Sequence, residues 1–279
     1  MSLKMIGHYE QLLDIVENEQ IDKIIVTLPD RRGKLPVSDL LICKMRGIEV
    51  EDVTTFREKF NHKIMLDTLQ PSWMIFSSDF TVSPFHRLFK RLSDIVLASL
   101  GLLLAMPLMI LITIIVKLGS AGPIFFVQER VGQYGQSFTL IKFRSMYTDA
   151  ETLSGPVFAQ QRDPRIAPLG GWLRRLRLDE LPQLFNILHG DMSFVGPRPE
   201  RDYFVKQFQR DIPFYMQRLS VKPGLTGWAQ VNYPYGETVE DTVEKLQLDL
   251  YYIKNMSLFL DLLILLKTVK IILLMRGSR

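Results

Sequence analysis

Asp179 and Glu180 are adjacent carboxylates standing just before Leu181, Pro182 and the helical pattern Leu184, Phe185, Ile187 and Leu188. Proline suits the first turn of a helix, where its missing N–H costs nothing, so the pattern predicts both acids at a helix N-terminal end. There the helix dipole and unpaired backbone N–H groups favour an anion, either a carboxylate or a bound phosphate. An ionised aspartate can attack phosphorus, and a neighbouring glutamate can ligate Mg2+ and so offset the charge of a diphosphate. Acids ahead of a helix are more often simple caps, so the pair needs support from its surroundings.

That support is a concentration of cations. Arg174, Arg175 and Arg177 lie just upstream, and Gly196-Pro197-Arg198-Pro199 lies just downstream, followed by Glu200 and Arg201. Guanidinium groups match phosphate oxygens in bidentate fashion, and flanking prolines stiffen the loop that presents Arg198. Lys142 and Arg144 add two cations, and Asp163-Pro164-Arg165 adds a charged turn. The alternative is a solvated basic surface facing anionic lipid.

The elements that must position these groups are readable from periodicity. Phe125–Val131 and Phe138–Phe143 flank a turn at Gly132–Gly135 and predict a hairpin that carries Lys142. Thr238, then Asp241 with Val243, Leu246, Leu250 and Ile253, predicts a capped amphipathic helix. Ile95 to Val116 carries no charge and, at about 1.5 Å per residue, matches the roughly 30 Å hydrocarbon layer. Pro107 sits near its middle and must break or kink it. Arg87, Lys90 and Arg91 precede the stretch and Lys117 and Arg130 follow it, a bias that keeps both ends on the cytoplasmic side. A re-entrant hairpin over about residues 88–118 satisfies both facts; a kinked transmembrane helix is the alternative. Leu258 to Met275 is apolar but interrupted by Asp261, Lys267 and Lys270, which favours a helix lying in the interface over a spanning one, with a core helix as the alternative.

At the N-terminus, Tyr9, Leu12, Leu13 and Val16 share a helical face and Ile24 to Leu28 follows as a short strand. After the loop Pro29–Pro36, Val37, Leu40, Leu41 and Met45 form a second face, and a strand lies near Ile48–Val53. This αβαβ run reads as about half of a doubly wound sheet, without a GxGxxG turn, and so as a structural or regulatory module. The chain has 279 residues, 47% of them apolar, and a formal charge of +4, enough for one full domain and part of another. No nucleic-acid-binding signature is present, so anionic partners are expected to be phosphates and lipid headgroups. The lone Cys43 excludes an internal disulfide and fits a reducing compartment, and no secretory signal is visible. Met1-Ser2-Leu3 and an element that begins mid-pattern lead us to expect a chain truncated at its N-terminus.

Five motifs occur in order: Lys142-Phe143-Arg144-Ser145-Met146; Asp163-Pro164-Arg165; Asp179-Glu180-Leu181-Pro182-Gln183-Leu184-Phe185-Asn186; Gly190-Asp191-Met192-Ser193-Phe194-Val195-Gly196-Pro197-Arg198-Pro199; and Lys222-Pro223-Gly224-Leu225-Thr226-Gly227-Trp228-Ala229-Gln230-Val231. From Phe85 to Arg279 the chain resembles the bacterial sugar transferase family of monotopic polyprenyl-phosphate sugar-1-phosphate transferases. Asn232 to Gly236 and Asp249 to Asn255 resemble its exopolysaccharide branch. The resemblance implies an α+β fold: a monotopic catalytic domain at 81–279 with a re-entrant helix and interfacial amphipathic helices, preceded at 1–80 by the C-terminal part of a Rossmann-like α/β domain.

It also implies a function. Asp179 would be the nucleophile and Glu180 the Mg2+ ligand, with Lys142, Arg198 and Asp249 near phosphate and metal and Arg144, Arg165 and Arg175 as further phosphate-binding candidates. The partners implied are a UDP-sugar, polyprenyl (undecaprenyl) phosphate, the cytoplasmic face of a bacterial inner membrane and, by analogy with long members, a second copy of the chain. The family commonly has a small polar residue at Arg177 and often a serine at Met106, before Pro107. An inactive scaffold in the same assembly and a UDP-releasing glycosyltransferase are the alternatives, and no residue selects the sugar.

Overall fold

The computed structural model describes residues 5–27, 35–69, 83–119, 121–148, 163–167, 169–233, 236 and 238–274. The chain folds as two compact units, Met1–Thr68 and Leu69–Arg279; the boundary expected near residue 80 lies outside the described residues.

In the first unit a 3-10 turn leads into α1 (Leu12–Glu19), followed by β1 (Lys23–Val26), α2 (Val37–Met45), β2 (Glu49–Asp52) and α3 (Val53–Asn61). β1 and β2 pair in parallel, Lys23 opposite Glu49 and Val26 opposite Asp52, as an αβαβ order requires. Two details depart from expectation. The buried stripe of α2 is Leu40 and Cys43, while Val37, Leu41 and Met45 are exposed. Where the strand was expected to run on to Val53, α3 begins instead, because Asp52 accepts a hydrogen bond from Thr54 N at 2.7 Å and so caps a new helix. Leu28 and most of the Pro29–Pro36 loop lie outside the described residues.

The second unit opens with α4, Pro84–Gly119, a single 36-residue helix assigned straight through Pro107. The proline therefore does not end the helix; its missing N–H leaves one rung of the ladder unmade while the turns on both sides continue. It is long and apolar enough to cross a membrane, and only 11% of its most apolar window is buried in the protein. β3 (Phe125–Val131) and β4 (Ser137–Phe143) form the expected antiparallel hairpin, with Phe126 opposite Lys142. Tyr134 and Gly135 take positive φ in its turn, which suits the glycine. Then come α5 (Gly170–Arg175), α6 (Gln183–His189), β5 (Ser193–Val195), α7 (Asp202–Asp211), β6 (Gly224–Thr226) and α8 (Trp228–Asn232). The unit closes with α9 (Val239–Lys254) and α10 (Leu258–Leu273).

Two apolar clusters hold this unit together, and α4 contributes to both. Ala98 packs with Leu140 of β4, Leu184 and Ile187 of α6, and Met192, joined by Leu102. Ile112 and Val116 pack with Phe143 of β4 and Leu173 of α5, joined by Met109, Leu178 and Leu181. A buried Ile187 or Met192 is worth about 1.5–3 kcal/mol each in area removed from water. The two clusters lie on opposite sides of Pro107 in sequence, so both halves of α4 pack on one unit.

The capping box expected at Thr238 is present: Asp241 N donates to Thr238 Oγ1 at 3.1 Å and Thr238 N donates back to Asp241 Oδ2 at 3.0 Å. α10 is the expected second apolar helix, capped by Ser257. Its Asp261 is turned inward, accepting from Lys90 Nζ at 2.6 Å and Tyr252 Oη at 2.7 Å, while Phe259, Leu262, Leu266, Val269 and Leu273 are exposed.

Candidate active site

Asp179 and Glu180 lie in a 3-10 turn, Leu178–Glu180, one turn ahead of α6. Hydrogen bonds spaced by three residues lie on both sides of Pro182, Leu181 N to Leu178 O before it and Leu184 N to Leu181 O after it, so the turn feeds directly into the helix. Leu178 and Leu181 bracket the acids and insert into the cluster around Ile112 and Val116, which fixes the turn from below. Arg177, just before it, takes φ 55, a left-handed conformation that costs a non-glycine residue about 1–2 kcal/mol.

Glu180 is the focus of the charges. Its Oε1 accepts from Lys142 Nζ at 3.0 Å and from Arg198 Nη2 at 3.0 Å. Burial opposes ionisation there, but Lys142, Arg198 and Arg177 outweigh it and hold the carboxyl well below the usual range. Asp179 is shifted the other way: burial, and next the charge of Glu180, push its carboxyl up against the pull of Lys142, Arg174 and Arg198. Both acids are under 10% exposed, at 8% and 9%. Lys142, Arg174, Arg177 and Arg198 thus set four cations against two carboxylates, a local surplus of two positive charges. Such a centre is built for a polyanion.

Each arm of the site has a local cause. Lys142 is brought in by β4, whose free edge is paired not by a strand but by Asn186 of α6: Ile141 N donates to Asn186 Oδ1 at 3.1 Å and Asn186 Nδ2 donates to Thr139 O at 2.7 Å. Arg198 is brought in by two glycine motifs that are partners in space. β5 and β6 pair in parallel, Gly196 N donates to Thr226 O at 2.9 Å and Gly224 N to Pro197 O at 2.9 Å. A Cβ on Gly196 would stand 2.9 Å from Gly224 N, so the close approach demands glycine.

The other expected site residues are placed differently. Asp249 is 2% exposed behind the Arg198 loop, and Arg218 reaches it through Nη2 at 2.9 Å and Nε at 3.2 Å. The same Nη2 donates to Arg198 O at 3.0 Å, and Nη1 donates to Tyr215 Oη at 2.8 Å. Arg218 was missed in the sequence because nothing in Gln217-Arg218-Leu219-Ser220 marks it. Arg144 is buried and donates to Ala121 O at 2.6 Å, closing the turn ahead of β3. Arg165 forms a fork with Asp163, Nε at 2.8 Å and Nη2 at 2.6 Å. Arg175 is exposed at the end of α5, and it is Arg174 and Arg177 that act on the two acids. No group of three or more His, Cys, Asp or Glu side chains gathers among the described residues.

Residues 85–275 match the family model described as bacterial sugar transferase. The chain belongs to the bacterial sugar transferase family. Within it, the chain is 43% identical over 237 residues to a UDP-N-acetylgalactosamine-undecaprenyl-phosphate N-acetylgalactosaminephosphotransferase of Aeromonas hydrophila, covering 85% of this chain and 55% of that protein. It is 38% identical over 270 residues to the UDP-glucose:undecaprenyl-phosphate glucose-1-phosphate transferase of Escherichia coli (strain K12), covering 94% of this chain and 57% of that protein. It is 37% identical over 211 residues to the exopolysaccharide production protein ExoY of Rhizobium meliloti (strain 1021), covering 71% of this chain and 91% of that protein. This family member thus spans little more than half the length of the first two relatives, and all five motifs fall inside the matched region.

Proposed function

We propose that the chain moves a sugar 1-phosphate from a UDP-sugar to polyprenyl phosphate at the cytoplasmic face of a bacterial inner membrane. The observation that carries the reading is the pair Asp179–Glu180, buried among four cations and seated directly on an apolar helix. Glu180 stays ionised and holds Lys142 and Arg198 in place. Asp179, with no hydrogen bond to either cation required, is left to attack.

In the first step an Asp179 carboxylate oxygen bonds to the sugar-bearing phosphorus, the bond from that phosphorus to the bridging oxygen breaks, and UMP leaves with the electron pair. In the second an oxygen of polyprenyl phosphate attacks the same phosphorus and the bond to Asp179 breaks, which restores the carboxylate and yields polyprenyl-diphosphate sugar. Two steps let a water-soluble donor and a lipid acceptor use one site in turn. Lys142, Arg174 and Arg198, whose charges act on Asp179, would neutralise charge on the transferring phosphoryl oxygens. Mg2+ fits Glu180: the ion is commonly held by one or two carboxylates, with the remaining ligands from phosphate and water, and Glu180 is a buried carboxylate kept ionised beside the nucleophile. Held by Glu180, it would supply further neutralisation of the diphosphate.

The membrane reading is that α4 enters one leaflet and returns to the same face, with its bend at Pro107. A straight helix of 36 residues is about 54 Å long, well beyond the hydrocarbon layer. Spanning would carry Ile112 and Val116 away from the face that holds Ala98, yet both ends pack on one unit. The outward apolar side of α10 lies in the interface by the same reasoning. In the first unit the parallel pair between helices supports a Rossmann-like fragment.

The deciding assay supplies undecaprenyl phosphate in nanodiscs and a panel of UDP-sugars that includes the glucose and N-acetylgalactosamine donors. UMP and a lipid-diphosphate sugar are expected with one or more donors; UDP as the nucleotide product overturns the reading.

A further inference from the structure

At the foot of α4, one helical turn before its uncharged stretch, three charged side chains point into the domain and not toward solvent or lipid. Arg91 donates through Nη1 to Ile187 O at 2.6 Å and through Nη2 to Leu188 O at 2.7 Å. These are carbonyls of the last turn of α6, groups that a helix leaves unpaired and that a cation satisfies best. Asp94, 4% exposed, accepts on Oδ1 from both Ser193 Oγ and Phe194 N at 3.0 Å, which grips the start of β5. Lys90 holds Asp261, and the Tyr252 hydroxyl that donates to Asp261 lies 3.1 Å from Val195 O, at the end of β5.

Each gripped element carries a reacting group at its far end. α6 is seven residues, a rigid rod of about 10 Å, with Arg91 at its C-terminus and the Asp179–Glu180 turn at its N-terminus. β5 runs from Asp94's contacts directly into Gly196-Pro197-Arg198. The two arms then meet again in the 3.0 Å contact between Arg198 and Glu180. The geometry closes a loop: membrane helix, α6, Glu180, Arg198, β5, membrane helix. Phe194 is packed against the same cluster as Ala98 and Ser193 beside it is buried, so the loop has little slack.

We propose that Arg91 and Asp94 are positioning residues, which set the separation of Arg198 from the Asp179–Glu180 turn by clamping both of their elements to one turn of the membrane helix. This rests on the transferase reading for its consequence but not for its geometry. A displacement of about 1 Å in such a site can cost around 10²-fold in rate, so loss of either grip is expected to slow the chemical step and leave donor binding nearly unchanged.

The test uses the full chain in nanodiscs and the variants Arg91→Met, Asp94→Ala and Asp94→Asn. The asparagine keeps a side-chain oxygen for both hydrogen bonds at β5. With enzyme in excess of UDP-sugar and lipid phosphate supplied, the plateau single-turnover rate constant is read, a quantity that inactive molecules do not change. Arg91→Met and Asp94→Ala are expected to lower it tenfold or more, and Asp94→Asn to restore it to within about threefold of the unmodified chain. A plateau unchanged in the first two, or equally low in all three, overturns the proposal. Hydrogen exchange gives an arm that needs no activity: in Arg91→Met, amides from Leu178 to His189 should lose protection while those of β3 and β4 keep it. Unaltered protection from Leu178 to His189 also overturns it, whereas an inactive unmodified chain with the expected exchange pattern counts against the transferase reading alone.

Discussion

Arg218 meets Asp249 through two nitrogens, Nη2 at 2.9 Å and Nε at 3.2 Å, in a place where both side chains are buried. Arg218 also donates to Tyr215 Oη and to the Arg198 carbonyl, and through the latter the pair supports the loop that presents Arg198. Removing one partner leaves an uncompensated buried charge, at a typical cost of about 3–5 kcal/mol. Asp249→Ala is therefore expected to lower the thermal midpoint and abolish activity together. The double variant Arg218→Met with Asp249→Leu should regain much of the stability but not the activity, because the Arg198 carbonyl still lacks its donor. Thermal unfolding and UMP release, measured on both variants, separate the two effects; recovery of activity in the double variant would remove the pair from any part in placing Arg198.

Asp179→Asn should cut transfer by at least about 10³-fold, since an amide cannot form the covalent link. Stability should hold or rise, because burial already disfavours the Asp179 carboxylate and the amide removes that charge. Near-normal turnover in this variant would exclude Asp179 as the nucleophile. Intact mass after incubation with donor alone is the direct measurement, with an added sugar phosphate expected on the unmodified chain and none on the variant.

The pH dependence follows in sign from the two shifts. Asp179 reacts as the anion, and burial followed by the charge of Glu180 raises its carboxyl above the ordinary 3.8, so activity should fall with acid at a pH above that value. Glu180 is held below its ordinary 4.5, so it stays ionised through the fall, and the stability it contributes, present above 4.5, is lost only as pH drops through its lower folded value. A profile of kcat/KM whose acid limb lies at or below 3.8 would contradict the assignment. The limb should move down in Glu180→Gln, in which the like charge is gone and Lys142 and Arg198 face Asp179 alone.

What could be read in the sequence was whatever obeys a local rule. The box of Thr238 and Asp241 and the hairpin that carries Lys142 each follow from a few neighbouring residues, whereas the glycines at 196 and 224 are required by each other across the chain. The charged foot of α4 was read only as a basic flank at the membrane, because a count of cations does not reveal that Arg91 turns inward to the end of α6. Arg218 was invisible for a related reason: its partner Asp249 lies 31 residues away, and neither stands in a motif with the other. In α2 periodicity found the helix and its buried Leu40 but not the rest of that side, since Cys43 packs and the larger Met45 does not. Arg174 and Arg175 differ by one position and hence by 100° around the helix, which decides which of them faces the acids.

Chelation supplies a further check. Treatment with EDTA should stop transfer and Mg2+ should restore it, as expected if Glu180 shares the ion with the diphosphate. In Glu180→Gln the concentration of Mg2+ needed for half-maximal rate should rise by an order of magnitude or more, even before the loss of Lys142 and Arg198 contacts is counted. Full activity in excess chelator would remove the metal from the reaction.

The course of α4 is tested by placing single cysteines at its two ends, Arg87→Cys and Lys117→Cys, in a chain with Cys43→Ser. If the helix enters and leaves by one face, an impermeant maleimide applied from the cytoplasmic side of membrane vesicles labels both, and the same reagent from the other side labels neither. A spanning helix would label one from each side. The packing favours the first outcome, because Val116, next to Lys117, is buried with Phe143 and Leu173 while Ala98 is buried with Leu184 and Ile187, all in the unit that carries Glu180. Crossing the bilayer would strip Ile112 and Val116 from that cluster and leave Phe143, Leu173 and the two leucines on either side of the acids, Leu178 and Leu181, without their apolar cover. Pro107→Leu should favour that straighter course by restoring the missing N–H, and Lys117→Cys in this background should become labelled from the far side as activity falls.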